Sequence, residues 1–181
     1  MRYRLVALAV CLLTSAARVA SAPPPAHPTT TDARTVRSGF VEAETEVYIR
    51  RAIDGAAVRL KRPACQDVLA DFTNASGEHL SMTLAASGKN PAEAFALLRF
   101  YDDRDAPQCA GGATLAFTEV GSRIVRVCGR RFKSRYLGNR ATAEILMIHE
   151  FLHTLGLEEN PPTSQAITDQ VALRCGGLSG R

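Results

Sequence analysis

The chain has 181 residues, of which 46% are hydrophobic, and a formal net charge of +4. This length predicts a single domain that can bury a hydrophobic core without needing a metal or a disulfide to fold. Three positive charges, Arg2, Arg4 and Arg18, lie in the first 22 residues together with no acid, so the remainder carries only +1. A net charge this small gives no reason to expect nucleic acid as a partner.

Residues 1–22 have the layout of a secretory signal peptide. Two arginines precede an apolar run over residues 5–13, and small residues follow it. The run is too short to cross a bilayer as a helix. Ala20-Ser21-Ala22 is the expected cleavage site, with Ser15-Ala16-Ala17 as a second option. We therefore expect a secreted or periplasmic protein that has no membrane association after cleavage.

Four cysteines remain once Cys11 is removed with this segment: Cys65, Cys109, Cys128 and Cys175. An even number in an exported chain predicts two disulfides. We favour Cys109–Cys128, because these residues bracket a predicted hairpin, and Cys65–Cys175 follows by elimination. A four-cysteine zinc site is disfavoured, because no two cysteines have the close spacing of a CxxC pair.

The first predicted elements are helical. Residues 23–38 are rich in proline and threonine without an apolar period, which predicts a disordered leader before a domain over residues 39–181. Apolar residues near helical spacing predict an amphipathic helix from Phe40 to about Leu60. Pro63 is suited to open a second short helix that continues to Phe72.

The middle of the chain is predicted to be rich in strands. His79 to Leu84 reads as a strand, and Asn90-Pro91-Ala92-Glu93 has the cap, proline and acid of a helix start. Leu97 to Tyr101 reads as a further strand. Two β-rich runs around Gly121-Ser122 predict a hairpin over Ala113 to Cys128.

A basic cluster follows the hairpin turn. It could suit an acidic substrate or surface, but charges on the solvent face of an edge hairpin are the interpretation we favour. Its members are Arg123, Arg126, Arg130, Arg131, Lys133 and Arg135.

The C-terminal part predicts two helices. Asn139 can cap a helix beginning at Arg140, and apolar residues then recur at steps of four and three through Leu155. Gly156 is placed to end that helix in a left-handed turn. After Pro161-Pro162, Thr163 or Ser164 can cap a last helix that reaches Cys175. The fold class is thus α+β, with helices at both ends of a small sheet.

The segment HEFLHTLGLEE, residues 149–159, carries the strongest chemical signal. Histidines at i and i+4 on a helix point the same way, so His149 and His153 can bind one metal ion. Glu150 projects toward the side where a metal-bound water would lie and can accept its proton. The competing interpretation is two packed histidines beside a solvated glutamate, which we consider the weaker one.

A catalytic zinc ion needs a third protein ligand and an open position. The segment has the form HExxHxxGxxE, in which the glycine turns the chain back, so Glu159 is the expected third ligand. Glu158 is one residue out of register, and Asp169 is a more distant alternative. His79 is expected to be an ordinary residue at a strand end. Tyr136 is only a guess for the group that stabilises the oxyanion.

The motif resembles the zincin superfamily of metallopeptidases through HEFLH, and LHTLGLEE is similar to the metzincin or small minimal-zincin arrangement. The resemblance covers about residues 139–160. It implies a small mixed or antiparallel sheet beside the HExxH helix, with substrate along an edge strand such as that of the predicted hairpin. It also implies zinc ligation by His149 and His153 and a general base at Glu150. Position 159 is Glu where metzincins have His or, in some small forms, Asp, and no methionine turn follows.

Two functions follow as hypotheses. The first is an exported zinc metallopeptidase, a monomeric hydrolase that acts on protein, peptide or peptidoglycan through Glu150. The second is a non-catalytic exported binding protein with a zincin-like fold. The presence of Glu150 favours the enzyme, because a binding protein would lose little without it.

Overall fold

A computed structural model of the chain describes residues 43–177. The predicted signal peptide, the predicted leader with His27, and Phe40 lie outside the described residues. The elements in chain order are α1 (Ala43–Leu60), α2 (Pro63–Gln66), α3 (Val68–Asp71), α4 (Leu80–Ala85), α5 (Pro91–Phe95), β1 (Arg99–Asp102), α6 (Pro107–Ala110), β2 (Ala116–Thr118), β3 (Ile124–Val127), α7 (Gly129–Gly138), α8 (Arg140–Thr154) and α9 (Ser164–Cys175).

The three strands form one mixed sheet in the order β1-β3-β2. The central strand β3 is parallel to β1 and antiparallel to β2, with Phe117 opposite Arg126. The predicted hairpin is therefore confirmed, and so is the α+β class. Because β2 is an edge strand, one side of its backbone has no partner strand among the described residues.

Helix α8 lies at the centre of the described fold, in contact with α1, α7, α9 and the sheet. Ten of its residues are buried, including both histidines and Glu150. The predicted apolar stripe accounts for only part of this burial, because neighbouring elements cover the helix on several sides. The helix begins as predicted, with the Asn139 side chain accepting a hydrogen bond from the Thr142 amide.

A buried ion pair fixes the start of α8 against α1. Arg59 donates from Nε to Glu144 Oε2 at 2.8 Å and from Nη1 to the Cys175 carbonyl at 2.6 Å. Arg59 and Glu144 are 1% and 3% exposed. Gly55 makes room for this pair, because a Cβ at that position would lie 2.2 Å from Glu144 Oε1.

Both predicted disulfides are present. Cys109–Cys128 joins α6 to the residue after β3, and Cys65–Cys175 joins α2 to the end of α9. Two disulfides fit an extracellular or otherwise oxidising location. Within residues 43–177, no helix has both the length and the hydrophobicity needed to cross a membrane.

The predicted strand from His79 to Leu84 is wrong, because Leu80–Ala85 is a helix and His79 forms only an isolated bridge with Thr73. Leu80 and Leu84 are buried, at a spacing of four that suits a helix. The helix predicted from Pro63 to Phe72 is two short helices, and Phe72 itself is extended.

The basic cluster does not lie on a hairpin alone, because residues 129–138 form helix α7. The side chain of its N-cap residue, Cys128, makes no capping hydrogen bond. Asp102 Oδ1, at the end of β1, instead accepts a hydrogen bond from the Gly129 amide at 3.1 Å. Within the cluster, Arg126 forms an ion pair with Asp103, and Lys133 forms one with Glu44.

Candidate metal centre

The end of α8 turns the chain back toward its own histidines. Gly156 has a φ of 103°, in the left-handed region that favours glycine. The amides of Gly156 and Leu157 donate to the carbonyls of His153 and Leu152, which is a Schellman-type helix end. Leu157 is buried, and Glu159 lies beyond it with its carboxylate over the two imidazoles.

Three ligand atoms meet at this point. His149 Nε2 lies 3.0 Å from His153 Nε2, and Glu159 Oε1 lies 3.4 Å and 3.3 Å from these two nitrogens. His149 and His153 are buried, whereas the Glu159 side chain is 36% exposed. Among the described residues, these three form the one group of histidine, cysteine and acidic side chains that could hold a metal ion.

The spacing of the three atoms fits a tetrahedral ion. A zinc ion bound at about 2.0 to 2.1 Å to each of three ligands in tetrahedral geometry separates the ligand atoms by roughly 3.3 to 3.4 Å. The observed edges of 3.0, 3.3 and 3.4 Å are close to this value. The edge between the two imidazole nitrogens, at 3.0 Å, is the one that is shorter than this value, and a small separation of the two rings would match it.

Hydrogen bonds on the far side of each imidazole favour ligation. His153 Nδ1 lies 2.8 Å from the Leu157 carbonyl, which can only accept, so Nδ1 carries the proton and Nε2 presents a lone pair. His149 Nδ1 lies 2.9 Å from the Thr168 hydroxyl, which can accept a proton from it in the same way. Metal-binding histidines are usually oriented by such partners.

The charge state of His149 also suits ligand binding. Burial lowers the pKa of His149 to about 4, and the neighbouring His153 contributes to the decrease, while Glu159 acts in the opposite direction. A neutral imidazole at neutral pH is the form that binds a metal ion.

Glu150 lies beside the three ligands but is not one of them. Its carboxylate is buried, and Oε2 has no hydrogen-bond partner within the described residues. Burial raises the pKa of Glu150 to about 8, with a further increase from Glu159, while the nearby Thr118 hydroxyl lowers it. Because a buried polar atom without a partner is unfavourable, this oxygen is suited to bind a water molecule or a substrate group.

The site opens into a cleft of 510 Å³ between α8 and the sheet. One wall is the stretch from Ala113 to Thr118, which includes the whole of edge strand β2. The turn after β2 is fixed to the site, because the Gly121 amide donates to the His153 carbonyl at 2.8 Å. The Cys109–Cys128 disulfide lies next to Gln108, another residue of the cleft wall.

The structure separates the predicted site residues into two groups. His149, Glu150, His153 and Glu159 all line the cleft. The alternatives lie elsewhere. Glu158 lines a different cavity, Asp169 is exposed and bonded to Gln165, His79 is exposed, and Tyr136 packs its ring against Tyr48.

Two residues of the site were not found from the sequence. Thr168 comes from α9 and Thr118 from β2, and each meets α8 only through the tertiary fold. The predicted last helix includes Thr168, but its helical period does not tell which of its faces meets His149.

No family model, no curated protein and no solved structure matches this chain. The function of the candidate metal centre is therefore inferred from its own residues.

Proposed function

We propose that this chain is an exported zinc metallopeptidase with a zincin-like fold, in which His149, His153 and Glu159 hold the metal. The observation that carries the proposal is the meeting of these three ligand atoms, within 3.4 Å of one another, beside the buried carboxylate of Glu150. Such a set is typical of catalytic zinc sites, which have three protein ligands and one open position.

Zinc is favoured over other ions by the ligand set and its spacing. Two imidazoles and one carboxylate are borderline ligands, which suit zinc better than calcium or magnesium. When bound, the ion supplies an activated water and polarises the scissile carbonyl.

Glu150 is then the proton carrier, because the positive charge of a bound metal ion would lower the pKa of this carboxyl and leave it ionised. Glu150 lines the cleft, where its carboxylate would accept a proton from the attacking water and afterwards donate it to the leaving amine. Thr118 stands beside this carboxylate, and its hydroxyl lowers the pKa of Glu150. His149 and His153 are held in their binding orientation by Thr168 and the Leu157 carbonyl.

The cleft fits an extended peptide. The outer side of β2 can pair with a substrate backbone, as in β-augmentation. Among the described residues that line the cleft there is no lysine or arginine, so no fixed cation is available to bind the terminal carboxylate of a substrate. We therefore expect cleavage within a chain, of protein or of a peptide cross-link, rather than removal of a C-terminal residue.

The test is hydrolysis of a peptide mixture by the zinc-loaded protein and by Glu150→Gln. We expect the variant to keep its zinc and to lose at least about a hundredfold in rate, the lower range for loss of a general base. Glu158→Gln is the matched control, because Glu158 is an exposed acid outside the cleft. A fully active Glu150→Gln would contradict the mechanism, and a wild-type protein that binds zinc without hydrolysis would favour the non-catalytic binding protein.

A further inference from the structure

A second cavity of 600 Å³ lies against a different face of α8 from the cleft. Phe151 and Thr154 of α8 line it, together with Leu155 just after the helix. The α8 residues that line the cleft are different: Leu146, His149, Glu150 and His153. We call this cavity the rear groove. Its other walls come from the region of α4 and α5 and from the β2–β3 turn, and its lining residues are Thr83, Leu84, Ser87, Lys89, Ala94, Leu97, Leu98, Gly121, Arg123, Phe151, Thr154 and Leu155.

The interior of the rear groove has few free hydrogen-bonding side chains. The Ser87 hydroxyl donates to the Leu84 carbonyl at 2.7 Å, and the Thr154 hydroxyl donates to the Phe151 carbonyl at 2.7 Å. The Thr83 hydroxyl donates to Glu78 at 3.3 Å. Because each hydroxyl proton is already used within the protein, an occupant finds mainly leucine, alanine and phenylalanine surfaces there.

Two cations, Lys89 and Arg123, complete the lining. Neither forms an ion pair or a side-chain hydrogen bond with another residue of the described part of the chain. No aspartate or glutamate of that part lines the rear groove, whereas the cleft has Glu150 and Glu159 and no lysine or arginine. In the absence of a metal ion, the cleft therefore has acidic side chains and the rear groove has basic ones, so the rear groove complements an anion.

We propose that the rear groove binds an anionic amphiphile, with an alkyl chain on the apolar surfaces and a carboxylate at Lys89 and Arg123. A cavity of this size with apolar walls and a few charged groups is typical of small-molecule sites. An extended peptide suits it less well, because no strand edge lines it and its hydroxyl protons are used. The proposal does not depend on the proposed peptidase activity.

Calorimetric titration of the full protein, in the absence of metal and below the micelle concentration, tests the proposal with three probes that share one alkyl chain. We expect saturable binding of dodecanoate, weaker binding of dodecanol, and the weakest of dodecyltrimethylammonium. Lys89→Ala and Arg123→Ala should each weaken dodecanoate binding by roughly two- to fivefold, the range for an exposed ion pair. Lys61→Ala, an exposed cation outside the rear groove, should leave the affinity unchanged.

A second pair of variants, one in the rear groove and one outside it, tests the contribution of the apolar walls. Leu97→Ser removes a half-exposed leucine of the rear groove and should weaken all three probes, whereas Leu137→Ser changes a similarly exposed leucine on α7 and should have no effect. The absence of saturable binding would overturn the proposal, and so would equal affinity for the three head groups. Binding that requires zinc and disappears in His153→Ala would place the carboxylate at the metal centre and would also overturn it.

Discussion

Replacement of Thr168 with valine should weaken metal binding without touching a metal ligand. In the metal-bound form, His149 must present the Nε2 lone pair, so its Nδ1 carries a proton. Within residues 43–177, the Thr168 hydroxyl is the group placed to accept it. His149 is 2% exposed, so valine leaves a buried N–H without a partner. An unsatisfied buried donor costs about 1 to 3 kcal/mol.

This cost applies mainly to the metal-bound form, because without metal the neutral imidazole can move its proton to Nε2. The zinc affinity of Thr168→Val should therefore fall by about five- to 150-fold. Competition between the protein and a chelator of known affinity measures the change. Thr168→Ser keeps the hydroxyl and should retain most of the affinity.

Thr142→Val is the control, because Thr142 is also partly buried and lies on α8 outside the cleft. Equal zinc affinity of Thr168→Val and the wild-type protein would refute the role given to this hydroxyl. Failure of Thr168→Ser to restore affinity, with an unchanged melting temperature, would refute it too.

Two further predictions concern stability and the turn that brings Glu159 back. Glu144→Ala leaves the buried Arg59 without its carboxylate and should lower the free energy of unfolding, measured by urea titration, by about 3 to 5 kcal/mol. Arg140→Ala removes the exposed partner of Glu144 and should lower it by less than about 1 kcal/mol. Equal effects would contradict the buried pair. Gly156→Ala forces a side chain into a φ of 103° and should weaken both stability and zinc affinity, whereas Gly77→Ala, at a φ of 80°, should lower stability alone. A Gly156→Ala protein with unchanged zinc affinity would show that the turn does not position the third ligand.

Local signals predicted the helix ends well. The capping box of Asn90 and Glu93 is formed as expected, and Thr163 caps α9 through the Ala166 amide. These interactions join residues three apart, so the sequence alone contains both partners. The same holds for the turn at Gly156, whose conformation depends on its own backbone.

Other elements depend on distant contacts. Leu80, Met82 and Leu84 alternate with polar residues as in a strand, but Leu80 and Leu84 also match a helix, and the packed core selects the helix. For α7, the buried pair Phe132 and Tyr136, four residues apart, is a helical signal that the surrounding arginines obscured.

The candidate site divides in the same way. One helix and the turn after it contain all four of its main residues, so their spacing in the sequence was enough to predict that they meet. They are His149, Glu150, His153 and Glu159. Thr168 belongs to another helix, and its contact with His149 depends on how α9 packs on α8. The rear groove has no sequence motif, because its walls come from several separate elements.

Metal content is the most direct test of the central claim that His149, His153 and Glu159 form a zinc site. Elemental mass spectrometry of the purified protein should give about one zinc per chain, as expected for one three-ligand site. His153→Ala and Glu159→Ala should each lose the metal or bind it far more weakly, while Asp169→Ala should retain it. A protein that contains no metal and takes up no added zinc would contradict the account and leave the two histidines as packing residues.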